Sequence, residues 1–586
     1  MASGQNDNPD ARFLTVVREY TLQKDGSQEF RESFSVKLLS HRAFHRMYGE
    51  NFIVYNPQFQ KLKIHKAETQ MDNGRKVPAP ANAFNEVLPS WASGSAAFSH
   101  LREMVVSHTA LEVGATVSLD YTIETRAGYY PCFSGAEVAS LSSPADAFRV
   151  VVRVPAGTRL SYKVLNLRLA PEISKEKGFD VYTFNFGSTQ ALPQESFLPS
   201  RFSYLPAVVF STSGSVEAIL PPLSLSGEGL PAQAKNWVLG LKEKSANTAE
   251  LLASLRDKVA NEIATLQVKP IYTGFRLRSL REVWESRSGT PAEKACLLAA
   301  MLREVGFTAH PMVAFPSQLV QSDLLPAALA EDFYVQTEGD GLPELLLSPT
   351  SATTRDERPF LYGMTLLGTD PQGKVLVNRP TPVNSECRVE ATLNIDTGAN
   401  LSGSVKVKAE GLFNPYFPVN TDKSKFSGVL RGLQGDKTEV NLQRSNPRKA
   451  EGLLTVSGQK ALKKKGEVYL LEIPHAAAGV DSWNARVLPV RRDGPFALPA
   501  FVLEEYKFSI TLPEGWELLT PEYSREVKKD FGGVSLKLVK KGNTVEIYQA
   551  VEFIEKEISL LNYPSLREIL INWYDPGLQV LVLRKK

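Results

Sequence analysis

The sequence predicts a multidomain chain with three units. These are an N-terminal antiparallel β-sandwich over 1–225, a central α+β core over 226–380 and a C-terminal antiparallel β region over 381–586. Three observations carry the reading. Short β-rich runs, separated by turn signals and free of helical periodicity, fill the first 225 residues. A helical period with capping signals appears only after the Pro- and Gly-rich stretch 221–231. From about Val377 the pattern returns to β-rich runs. The length agrees, since 586 residues make roughly four ordinary domains or three large ones at about 150 residues each.

In the first unit, Phe13 to Leu22 is a strand run, and Lys24-Asp25-Gly26-Ser27 turns the chain. Phe30, Phe34 and Val36 carry the next run. Phe52 to Tyr55, Val117 to Ile123 and Phe148 to Val154 continue the series. In the second unit, Leu251, Leu252, Leu255, Val259, Ile263 and Leu266 recur at three- and four-residue steps and predict a helix over 248–267. Asn247 and Glu250 fit its cap. Ser279-Leu280-Arg281-Glu282 and Thr290-Pro291-Ala292-Glu293 are two more capping boxes. Pro291 suits the first helical position, where a missing N–H costs nothing. This helix is predicted over 291–305 and closed by Gly306. Strands are predicted at Met312 to Phe315, Phe333 to Val335 and Leu345 to Leu347. In the third unit, Tyr506, Phe508, Ile510 and Leu512 alternate. A short helix is predicted near Leu566 to Trp573, and a last strand over Leu578 to Leu583.

Composition excludes several classes. Lys plus Arg is 67 against 64 Asp plus Glu, a net +3, so no electrostatic footprint for nucleic acid exists. Lys463-Lys464-Lys465, the densest basic run, reads as a solvated turn. No apolar run approaches the roughly 20 residues that span a bilayer. Cys132, Cys296 and Cys387 lie far apart, which gives neither a disulfide framework nor a zinc cluster. His41 and His45 have i, i+4 spacing, but Arg42-Ala43-Phe44 lacks the Glu of a zinc-protease motif, and the region reads as loop or strand edge. No metal and no cofactor is expected.

Over nearly its whole length the chain resembles bacterial transglutaminase-like proteins, members of the papain-like cysteine protease superfamily. These carry an N-terminal domain of the DUF3857 type and a β-rich C-terminal region similar to DUF3858. The resemblance rests on Phe52-Ile53-Val54-Tyr55-Asn56-Pro57, Asp72-Asn73-Gly74-Arg75-Lys76-Val77 and Leu111-Glu112-Val113-Gly114 in the first unit. In the core it rests on Arg281-Glu282-Val283-Trp284, Ser288-Gly289 and the helix from Glu293-Lys294-Ala295 to Leu302-Arg303-Glu304-Val305-Gly306-Phe307-Thr308-Ala309. In the last unit it rests on Leu512-Pro513-Glu514-Gly515 and Asn562-Tyr563-Pro564-Ser565-Leu566-Arg567.

The resemblance implies a Cys-His-Asp site in active members. The Cys sits at a helix start, where unpaired N–H groups and the helix dipole lower its pKa. The His activates it and the Asp orients the His. At the matching positions this chain has Pro291, Phe333 (or Asp332) and Ser348. The triad is therefore read as vestigial. Cys296, the nearest thiol, reads as a small core residue rather than as a relocated nucleophile. Five residues turn a helix by about 500°, so it points about 140° away and lies about 7.5 Å further along. Cys132 and Cys387 likewise read as packing residues.

Three functions follow as expectations. The first is a catalytically inactive binding or scaffolding module of the bacterial cell envelope, periplasmic or at the cell surface, with an unidentified protein or glycan as partner and no nucleic acid. The second is an active cysteine peptidase or acyl transferase with a misaligned or relocated nucleophile. The third is a glycan-binding protein of a carbohydrate-uptake system. The opening residues Met1 to Asp7 lack the basic and apolar regions of a signal peptide. They fit a cytoplasmic start, or a segment that follows an export or lipoprotein signal. The resemblance favours the latter.

Overall fold

Side-chain alternation explains the first unit. In the strand Ala145–Pro155, Phe148, Val150, Val152 and Val154 are all but completely buried, as the two-residue period of a strand allows. This strand lies inside an eight-stranded sheet, ordered Glu172–Glu176, Phe179–Thr189, Ala145–Pro155, Ala11–Leu22, Gln28–Leu38, Thr116–Thr125, Gln60–Gln70 and Lys76–Pro78. A three-stranded sheet, Ser161–Leu165, Ala207–Ser211 and Ser134–Val138, contributes Val208 and Phe210 to the same core as Val16, Val150 and Phe184. Each such side chain stabilises the fold by about 1.5–3 kcal/mol. The computed structural model describes residues 9–213, 220, 223, 228–320, 324–325, 327–339, 341–352, 356–370, 373–433 and 437–586. The boundary expected near 225 falls outside them, as do residues 1–8.

The sandwich is not purely antiparallel. Ala11–Leu22 pairs in parallel with Ala145–Pro155. In the last unit Ser385–Ile395 does the same with Val502–Thr511. Those two strands sit at the middle of a second eight-stranded sheet. Its order is Thr438–Ser445, Lys449–Gln459, Leu401–Glu410, Ser385–Ile395, Val502–Thr511, Thr544–Phe553, Gly532–Lys541 and Tyr523–Lys529. The helix Tyr563–Trp573 buries Leu566, Ile569, Leu570 and Trp573 in the core of this unit.

The central unit is built around one buried helix, Pro291–Glu304, in which every residue from Ala292 to Leu302 is buried. Its alanines at 292, 295, 299 and 300 let neighbours approach closely. It packs on a five-stranded antiparallel sheet, ordered Leu342–Leu347, Asp332–Gly339, Thr308–Pro316, Met364–Thr369 and Val375–Asn378. Helices Ala232–Lys244, Thr248–Asp257 and Leu280–Ser286 surround it.

The helix expected over 248–267 is shorter. It ends at Asp257, continues as one π turn, Lys258–Glu262, and gives way to a two-residue strand, Ala264–Thr265. Two partners far along the chain take over the backbone here: the N–H groups of Ala264 and Leu266 donate to Arg287 O, 2.8 Å, and Gly289 O, 2.9 Å, and Lys294 takes up carbonyls. Its Nζ donates to the carbonyls of Ala260, 3.3 Å, and Ile263, 2.8 Å, and so satisfies groups that a longer helix would have used itself. Leu266 then leaves the helical face and packs with Val268 against Ala92, Phe98 and Leu101 of the first unit.

Candidate functional site

The start of the central helix is fixed by two residues that the sequence sets three apart. Thr290 Oγ1 accepts from the Glu293 N–H, 3.3 Å, and Glu293 Oε2 accepts from the Thr290 N–H, 2.8 Å. Glu293 is 1% exposed, and a buried carboxylate needs a partner. Arg278 supplies one, with Nε at 3.1 Å, NH2 at 2.8 Å and its own backbone N–H at 2.9 Å. The same NH2 donates to Ser288 O. The Arg278 guanidinium lies 5.3 Å from the Phe98 ring centre, so the first unit buttresses this anchor.

A cavity of about 370 Å³ opens at this helix start. Thr290, Pro291 and Ala292 form one wall, and Glu331 to Tyr334 with Ser348 and Thr350 form another. The segment from Gln267 to Pro270 completes it. Pro291, Phe333 and Ser348 thus line one space. The sheet register explains the last two. Phe333 pairs with Val313, and Val335 pairs with Leu347, so the chain reaches Ser348 one residue after the pairing ends. Strand alternation turns Phe333 into the buried cluster around the helix, while Asp332 projects from the other face.

The chemistry of the walls is acidic and hydroxylic. Desolvation, helped by the charge of Glu331, holds the Asp332 carboxyl above its usual range. Glu331 is ion-paired to Lys269 at 2.8 Å. Burial raises the Tyr334 phenol. Ser348 Oγ accepts from the N–H groups of Thr350, 3.3 Å, and Ser351, 3.1 Å, and so closes a turn. Among the described residues, no cysteine and no histidine lines the cavity. Pro291 also removes the first N–H donor of the helix, which weakens the site as an anion cradle. Lys294, beside this wall, has no carboxylate partner among the described residues. Burial pushes its ammonium down to about 8, and Thr265 Oγ1 accepts from it at 2.7 Å.

The thiols lie elsewhere. Cys296 is buried in the helical core, with Sγ 3.8 Å from the Leu223 carbonyl. Cys132 is half-buried, and burial raises its thiol. Cys387 is fully buried in the last unit, its thiol raised by burial and by Glu504. His41 and His45 are exposed, flanking and within a π turn, Ala43–Met47, rather than a loop or strand edge. Among the described residues no group of three or more His, Cys, Asp or Glu is placed to hold a metal ion. The sequence reading missed Lys269, Gln267 and Tyr334 as cavity residues. Lys269 and Gln267 sit on an irregular segment with no period to reveal them.

Comparison with known proteins places the outer units first. Residues 24–193 match the family model DUF3857, and residues 467–583 match DUF3858, each described as a domain of unknown function with a solved structure. The cavity lies in the stretch between the two matches. At the level of whole structures, the chain is similar to a protein of Parabacteroides distasonis described as a "putative protease". The TM-score is 0.74 and the identity 28%, over 98% of this chain and 99% of that one. An M1 zinc metallopeptidase of Deinococcus radiodurans aligns with TM-score 0.19 and 13% identity over 46% of this chain and 58% of that one. The CBM3a-L domain of scaffoldin cipA from Clostridium thermocellum aligns with TM-score 0.13 and 14% identity over 21% and 72%. These last two carry no argument. No curated protein matches the chain.

Proposed function

We propose that this chain is a transglutaminase-like protein without catalysis, kept as a binding or scaffolding module of the bacterial cell envelope, periplasmic or at the cell surface. One observation carries the reading. A helix start and two successive strands bring Pro291, Phe333 and Ser348 to one cavity. These are the positions where the resemblance implies Cys, His and Asp. Fold and chemistry are separable in such a protein. Capping boxes and a buried helix specify the fold, while nucleophile, base and orienting acid specify the chemistry.

The description of the P. distasonis protein favours a second reading, a peptidase. A cysteine peptidase needs a thiolate held near a base, and an exposed, activated thiol would react with iodoacetamide near pH 6. The test is alkylation of the native protein at that pH, followed by mass mapping of the cysteines. The non-catalytic reading expects negligible labelling of Cys132, Cys296 and Cys387 until the chain is unfolded. Rapid native labelling of any one of them, lost together with hydrolysis of a casein substrate on Cys→Ala substitution, would replace it with the peptidase.

A further inference from the structure

A second cavity, about 1240 Å³, opens where the central unit meets the last. It exceeds the roughly 300–1,000 Å³ of small-molecule pockets, so it suits a length of polymer. Its floor is apolar, built from Phe413, Phe417 and Trp483. Phe360 and Tyr416 present partly exposed rings above it.

The charges on its walls are unevenly matched. Arg358 is paired with Asp356, 2.7 Å from Nε to Oδ2, and Glu410 with Lys408 at 3.1 Å. Lys425 and Arg448 are exposed on the cavity lining, and neither is ion-paired among the described residues. The acidic neighbour of Lys425, Asp422, feels its charge without forming an ion pair with it, and accepts from the Ser424 N–H at 2.9 Å. One further group lacks a partner among the described residues. Asn414 Nδ2 donates to Asn446 O at 2.9 Å, but its buried Oδ1 accepts from nothing. A buried acceptor without a donor is destabilising, but this one is closed off and offers an incoming segment no bond.

We propose that this trough is a docking groove for an extended, acidic peptide segment of another protein. Carboxylates of the segment meet Lys425 and Arg448. Its apolar side chains lie on Phe360 and Tyr416. A neutral glycan would leave both cations unmatched. The proposal uses none of the residues around Pro291 and stands whether or not that cavity is catalytic.

The experiment is selection of a random 12-residue phage peptide library on the full chain. Enriched sequences are expected to carry two or more Asp or Glu. Fluorescein-labelled synthetic copies should bind Lys425→Glu/Arg448→Glu at least tenfold more weakly. They should also lose binding to Ser482→Trp, which puts an indole into the trough from an exposed position. Both variants should keep the parent's thermal unfolding profile, and Lys425→Gln/Arg448→Gln replaces the reversal if that fails. Absence of acidic enrichment overturns the proposal, as does binding that survives either change. Binding of neutral oligosaccharides on a glycan array, abolished by Ser482→Trp but not by charge reversal, also overturns it and makes the trough a glycan site.

Discussion

Glu195 and Arg492 meet at 3.4 Å, Oε2 to Nε, and join the end of the first unit to the last. The Arg492 side chain is fully buried. Its NH2 donates to Ser196 O at 2.7 Å, and its guanidinium lies 5.1 Å from the Phe496 ring centre and 5.4 Å from that of Tyr563. Glu195 also accepts from the N–H groups of Asp493, 298 residues further along, at 2.9 Å, and of Gly494 at 3.1 Å. A Cβ at Gly494 would come 2.4 Å from Leu198 Cδ2, so a larger residue there would push the Leu198 side chain aside. The outer units therefore touch directly, and the central one does not merely string them together.

Glu195→Ala should be costly. It strands a buried guanidinium and two N–H groups, a loss on the order of 3 kcal/mol for a pair broken on one side. Glu195→Gln keeps an acceptor and should cost less. Urea titrations of both variants, followed by tryptophan fluorescence, check the ranking. Equal midpoints for Glu195→Ala and the parent would show that the contact contributes nothing.

Pro291→Cys should place a thiol at the start of a fourteen-residue helix, where the helix end favours the thiolate. Iodoacetamide near pH 6 should label it at least tenfold faster than Cys296 in the native protein. The change gives up a rigid residue at the first helical position, so a loss of about 0.5–1 kcal/mol is expected. Phe333→His and Ser348→Asp, added to it, should raise the rate further. An introduced thiol that reacts as slowly as Cys296 would remove the helix start as an activating site.

Glu504 makes stability fall as pH rises. Burial pushes its carboxyl up to about 7, against bonds from Tyr506, 2.5 Å, and the Val480 N–H, 2.7 Å. A folded-state value above the unfolded one means that the folded chain binds the proton more tightly. Its contribution is whole below about pH 4.5 and is lost by about pH 7, up to about 3 kcal/mol. His475 acts in the same sense at higher pH. Burial opposes its charge, but Asp481, 3.1 Å away, holds it above the usual imidazole range. Asp481 has the opposite sign. Burial would raise it, yet His475 and Trp573 hold it low, so its contribution is lost on acidification. Glu504→Gln should flatten the decline in thermal midpoint between pH 5 and 7.5. A decline as steep as the parent's would contradict this.

Lys294 gives the reverse slope. Its ammonium is held down to about 8 by burial, below the unfolded value near 10.5. The folded chain releases this proton first, so stability should rise between about pH 8 and 10.5. Lys294→Met should abolish that rise. It should also loosen Ala264–Thr265 by leaving Ile263 O and Thr265 Oγ1 without their donor. Thermal midpoints at pH 7.5, 9 and 10 in parent and variant decide it.

What could be read from the sequence was what is local. The capping boxes Ser279–Glu282 and Thr290–Glu293 form as written, because a cap needs only residues three apart. Alternation of Tyr506, Phe508 and Ile510 likewise reads as one buried strand face, with Leu512 buried just past the strand's end at Thr511. The helix Ala232–Lys244 escaped because it buries only Ala234 and Val238, too few for a period. The π turn after Asp257, the two parallel strand pairs and the bond between Glu195 and Arg492 depend on partners far along the chain. No local pattern announces such partners. Pro291 and Ser348 could be singled out only through the family resemblance, whose site positions they match, whereas Lys269 sits on irregular backbone that no motif marks.

Pro291 at the mouth of its cavity has a practical corollary for chemical surveys. Electrophilic warheads that tag cysteine hydrolases bond to an activated catalytic sulfur. Here they meet a pyrrolidine ring, with the buried sulfur of Cys296 more than a helical turn behind it. If the chain is without catalysis, as proposed, a proteome profiled with those reagents would pass over it, even where it is abundant. Affinity enrichment or photo-crosslinking would be needed to find it in its native company.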